Sequence, residues 1–212
     1  MNRNLTYISK VLLYILSFAL FSTIALGIVY IDTVLYHNVL EGGITEKLQI
    51  FLILGCGSLY LLHSLLKNEF RLCNSLVAIL FSLFFVRELD AFFDNVFFHG
   101  SWFYIVFVIL CFTFLYYIRK RYEIVEEFVE YSKTTNFALL ALGLVLLLVV
   151  SRFFGYKGIW KIMCSDLATM YDVNILYRPI KNLVEEGMEV VAYVVLLFSA
   201  VHLFFTNKEK KQ

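Results

Sequence analysis

Six predominantly apolar runs of roughly twenty residues dominate this chain, and that is the length a helix needs to cross the hydrocarbon of a bilayer. They fall at about 9–31, 47–66, 72–95, 101–118, 136–154 and 186–206. Inside lipid no water is at hand for backbone N–H and C=O groups, so such runs fold as helices that bond internally. The expected fold is therefore all-α: a polytopic transmembrane helix bundle of six spans, forming one integral membrane domain over residues 1–212. Composition agrees, with 61% of residues apolar and 17% charged, where soluble domains carry about 45–50% and about 25%. A net charge of +1 implies no nucleic-acid partner. Cys56, Cys73 and Cys111 lie within apolar runs and Cys164 in a connection, so there is no disulfide framework and no Cys-x-x-Cys metal signature.

The first run follows Arg3 and Lys10 as a secretory signal would, with Ala25-Leu26-Gly27 as a poor cleavage site. Its apolar core exceeds the usual signal length, so it reads as a retained first helix. With six spans both termini share a side, which holds Arg3, Lys10, Lys67, Arg71, Arg119, Lys120, Arg121, Lys133, Lys208, Lys210 and Lys211. The opposite side holds Lys47, Arg152, Lys157, Lys161, Arg178 and Lys181. Because Lys and Arg favour the cytoplasmic side, both termini are expected in the cytoplasm, in a plasma membrane or bacterial inner membrane.

Two connections are more than turns. Residues 119–135 mix Ile124, Val125, Phe128 and Val129 with Glu123, Glu126, Glu127 and Glu130 at helical spacing, which predicts that the fourth helix extends into the cytoplasm as a solvated end or a partner-docking helix. In 155–185, Trp160, Met163, Leu167, Met170 and Tyr171 repeat at helical spacing, the pattern of a short interfacial helix with Trp160 at headgroup level. Pro179 suits the first turn of the last helix, where its missing N–H costs nothing.

Charge inside the apolar runs is the main clue to function, because an ionised side chain in hydrocarbon costs a few kcal/mol, by roughly the insertion-scale figures. The topology gathers Arg87, Glu88, Asp90, Asp94, His99, Arg152, Glu185, Glu186 and Glu189 near the outer membrane face. Arg87, Asp90 and Asp94 are spaced three and four apart, as on one helix face, and so are Glu185 and Glu189. Gly187 permits close approach beside them. So many acids cannot all stay ionised without cations, so they must be protonated, paired with Arg87 or Arg152, or bound to metal.

The leading expectation is a membrane-embedded, metal-dependent hydrolase or transferase acting on a lipid or lipid-linked substrate. One divalent ion would be held among Asp90, Asp94, His99, Glu185 and Glu189, a donor set that suits zinc, manganese or iron. Glu88 or Glu186 would serve as general base, and Arg87 or Arg152 would hold an anionic headgroup. Two readings stand beside it: a small ion- or proton-coupled transporter, and a non-catalytic membrane subunit in which the cluster locks helices together. Two family patterns are excluded. Glu185-Glu186 resembles the paired glutamates of CAAX-type intramembrane proteases, but Val190 stands where that motif has arginine. The hydrolases related to alkaline ceramidase need a paired-histidine motif in the last helix, which is absent.

Overall fold

The apolar runs are helical in the computed structural model, which describes residues 2–35, 43–164 and 173–205. In chain order the helices are α1 (Asn2–Leu35), α2 (Ile44–Leu66), α3 (Arg71–Glu88), α4 (Asp90–Val96), α5 (Ser101–Arg119), α6 (Arg121–Ser132), α7 (Thr135–Val145), α8 (Ser151–Phe154), α9 (Lys157–Cys164) and α10 (Val173–Phe205). A π-helical turn, Leu146–Val150, joins α7 to α8. Among the described residues there is no strand.

Five stretches are long and apolar enough to cross a membrane: Leu12–Thr33, Ile44–Leu66, Ser101–Arg119, Thr135–Phe154 and Tyr177–Phe204. Their outward residues, among them Leu13, Leu16, Phe51, Leu66, Phe112 and Phe114, are large, apolar and exposed. Such continuous apolar surface is a lipid-facing surface in a protein of this class. The described residues thus form helices, five of them with the length and apolarity of membrane spans. The sixth apolar helix, α3, holds Arg71, Arg87 and Glu88 within its 18 residues, so composition alone does not mark it as a span.

By its contacts the chain divides into two compact units, one of Met1–Leu48 with Gly143–Val195 and the other of Gln49–Leu142 with Leu196–Gln212. In the first, Asp32 near the end of α1 accepts a hydrogen bond from the Thr45 N–H at 2.8 Å, satisfying an orphan donor in the first turn of α2. In the second, Gly57 on α2 faces α3, and a Cβ added there would lie 3.2 Å from the Phe81 Cβ. Phe70 precedes α3 at its N-cap, with a left-handed φ of 51° and no side-chain cap of its own. Its ring packs on Tyr131 at 5.2 Å. The missing cap comes from α6, where Glu127 accepts the Cys73 N–H at 2.6 Å.

Several boundaries differ from those expected. The third helix does not run unbroken from 72 to 95: it stops at Glu88, and Leu89, with φ −96° and ψ 17°, separates it from α4. Lys120, with φ −109°, likewise separates α5 from α6, so the segment after the fourth apolar run is a distinct helix rather than an extension of it. The last helix starts at Val173, which puts Pro179 in its interior. There the ring leaves the Ile175 carbonyl without its helical N–H partner. The helix after 155 is α9; Leu167, Met170 and Tyr171 lie outside the described residues.

Candidate functional site

The charged residues singled out by sequence assemble as two local groups, one in each unit. In the first unit Arg152 follows the π turn. The Ser151 N–H bonds the Leu146 carbonyl, five residues back. The Leu147 carbonyl, which an uninterrupted α-helix would pair with that same N–H, accepts the Ser151 hydroxyl instead, at 2.5 Å. Ser151 is fully buried, so its hydroxyl stands in for the displaced amide and holds the π turn. One extra residue per turn rotates everything beyond it by about 100°.

That rotation aims Arg152 at α10. Its Nη1 donates to Glu185 Oε1 at 3.2 Å and its Nη2 to Glu189 Oε1 at 2.5 Å. Lys181, one turn before Glu185, donates to Glu185 Oε2 at 2.5 Å. Glu189 is buried, whereas the Arg152 side chain is 42% exposed. Gly155 leaves room for the arrangement, since any Cβ there would strike the Glu185 carboxylate. Beside it, the Trp160 indole N–H donates to the Phe154 carbonyl at 2.5 Å. Trp160, Cys164 and Tyr177 form a small core that anchors α9 to α10. Trp160 is thus buried rather than presented at a surface. Gly187 approaches α1, where a Cβ would sit 3.7 Å from Leu26. Glu186 is half-buried on α10.

In the second unit Asp94 closes the turn between α4 and α5. Its Oδ1 accepts the Gly100 N–H at 2.8 Å, and its Oδ2 lies 2.6 Å from His99 Nδ1. Gly100 takes a left-handed φ of 81°, which glycine adopts without strain. The Gly100 N–H, aided by the His99 ring, holds the Asp94 carboxyl below its ordinary value. With Nδ1 engaged and the side chain 99% exposed, the outward edge of His99 is Nε2. Asp90 accepts the Ala91 N–H at 2.6 Å in the first turn of its own helix. Arg87 and Glu88 end α3 and are half-buried.

Among the described residues, no three of His, Cys, Asp and Glu converge as a metal ion would require. The residues predicted as one metal set occur as the Asp94–His99 pair, as Glu185 with Glu189 on cationic partners, and as Asp90 on its own helix.

One buried polar group was not anticipated. Tyr60, Ser199, Asn136 and Tyr131, from α2, α10, α7 and α6, form a hydrogen-bonded chain. The Ser199 hydroxyl donates to the Asn136 carbonyl at 3.0 Å and to its Oδ1 at 3.1 Å. Its single proton is thereby committed, so Tyr60 is the donor in the 2.7 Å contact with Ser199. Asn136 Nδ2 then donates to the Tyr131 hydroxyl at 2.7 Å. Burial pushes the Tyr131 phenol well above its usual value, so it stays protonated. The available signal was a handful of hydroxyl and amide groups inside apolar helices, with nothing to say which would meet.

No family pattern, no characterised protein and no solved structure matches this chain.

Proposed function

We propose that this is a six-span integral membrane protein with both termini in the cytoplasm, and that it is a non-catalytic membrane subunit whose charged group at the outer face locks α8 to α10. Counting α3 as a span gives a helix of about 27 Å at 1.5 Å per residue, close to the hydrocarbon thickness. Arg71 then lies at one end, and Arg87 and Glu88 at the other. The positive-inside pattern favours that count, because it places Lys67, Arg71, Arg119, Lys120, Arg121 and Lys133 on one side.

The observation carrying the structural reading is charge balance: Glu185 and Glu189 meet Arg152 and Lys181 within 3.2 Å. Matched pairs of this kind need no further cation. Purified protein is expected to hold no stoichiometric zinc, manganese or iron by elemental analysis. Arg152→Ala strands buried Glu189 and should cost about 2 kcal/mol, less than the fully buried range because Arg152 is 42% exposed. The double variant Arg152→Ala/Glu189→Gln should regain most of that loss in detergent melting. Stoichiometric metal that vanishes with Glu189→Gln would refute the reading, as would single variants melting like the wild type.

A second reading is favoured by the Asp94–His99 pair, in which a carboxylate fixes one ring nitrogen and turns the other outward, the arrangement of a general base or of a metal-ligating imidazole. It is a hydrolase or transferase on a lipid or lipid-linked substrate. Under that reading His99→Ala abolishes the cellular phenotype while abundance and melting stay unchanged. Retention of the phenotype in His99→Ala removes this alternative.

A further inference from the structure

We propose that α6 lies along the membrane surface at the end of α5, with Tyr122, Val125 and Val129 set into the boundary between acyl chains and headgroups. The bilayer is its partner. The helix is fixed from behind: Tyr131 is buried, and Glu127 is tied to the Cys73 N–H. At about 100° per residue, Tyr122, Val125 and Val129 share a narrow stripe on the opposite side. Tyr122 is 72% exposed and Val125 61%, and Phe128 extends the stripe on one edge.

Continuity selects lipid as the occupant. The exposed apolar surface of α5 runs through Phe112, Phe114, Leu115 and Ile118 to the end of the helix, and the α6 stripe resumes at Tyr122. Between them stand Arg119, Lys120 and Arg121, the charge expected at phosphate headgroups. The Arg121 guanidinium lies 4.8 Å from the Tyr122 ring centre, pairing a cation with an interfacial aromatic. The other edge of the stripe is acidic, with Glu123, Glu126 and Glu130. Lys120 lies 3.2 Å from Glu123 and Lys133 2.6 Å from Glu130, which offsets repulsion from anionic lipid. The inference rests on the chain being membrane-embedded and holds for either orientation.

The test uses full-length protein in phosphatidylcholine–phosphatidylglycerol vesicles, with exposed Cys111 replaced by alanine. Nitroxide labels are placed singly through Val125→Cys, Val129→Cys, Glu126→Cys and Glu130→Cys. Positions 125 and 129 should favour collision with dissolved oxygen over a water-soluble nickel chelate several-fold more than positions 126 and 130. Tyr122→Trp should add a blue-shifted emission component quenched by brominated lipid, an independent reading from an unlabelled variant. Nickel accessibility at 125 and 129 equal to that at 130 would overturn the proposal in favour of a solvated helix. Protection of both positions from oxygen and nickel alike would overturn it in favour of a covering protein.

Discussion

Asp94 accepts two contacts that reward its ionised form, from the Gly100 N–H and from His99. Its folded pKa lies below the ordinary value, so the stabilisation is complete above the unfolded carboxylate pKa of about 4 and is lost as pH falls through the depressed value. Asp94→Asn is therefore expected to melt below the wild type at pH 6, with the gap closing as pH drops below about 4. Melting in detergent across that range checks this, and a gap independent of pH would contradict it. At this scale much was legible in the sequence. The four-residue spacing of Glu185 and Glu189 announced a shared face, and Arg152 was one of the two cations named for them. Lys181 was not, although Pro179 placed it at the start of the last helix, four residues before Glu185. Asp94 and His99 were named together as members of one metal set; their direct pairing depends on a turn closed by Gly100.

Elements were read well where apolarity decides them and poorly where a single dihedral does. The break at Leu89 has no sequence signature, because leucine is a good helix former and its neighbours on both sides are helical. The π turn is equally silent: Leu146–Val150 is an unbroken aliphatic run that suits an α-helix as well. What marks it is Ser151, and two variants separate the parts. Ser151→Ala leaves the buried Leu147 carbonyl without the hydroxyl and should cost about 1 kcal/mol. Deleting Val149 removes the residue that the π turn absorbs, so the helix can close in α register with Arg152 still facing Glu189. The deletion should therefore keep the ion pair, and Arg152→Ala should cost it about 2 kcal/mol in melting experiments, as in the full-length chain. No effect of Arg152→Ala in the deletion would show that the pair depends on the π turn itself.

For the whole molecule, the crossing of α3 fixes the sides of everything after it, and six spans predict those sides. A reporter active only outside the cytoplasm should be active when fused after His99 and silent when fused after Lys67, Lys133 or Thr206. Equal behaviour after Lys67 and His99 would leave five spans and put the termini on opposite sides. Six apolar runs were read from the sequence, and the third of them carries Arg87, Glu88, Asp90 and Asp94, which is why its helix is the one that composition alone does not mark as a span. Helix α5 adds a different consequence. Only 6% of its apolar window is buried, and its hydrogen bonds to other elements lie at its two ends. Tyr117 meets Ser75 and the Leu72 carbonyl at one end, while Ser101 donates to Phe93 at the other. Between these fastenings one face of α5, with Ile105, Val106, Ile109 and Thr113, is half-buried and the rest is exposed and apolar, so in a bilayer its seat depends strongly on acyl-chain length. Short-chain detergents and thin bilayers will strain the end fastenings first, and α5 is the element on which extraction conditions decide whether the purified protein is intact.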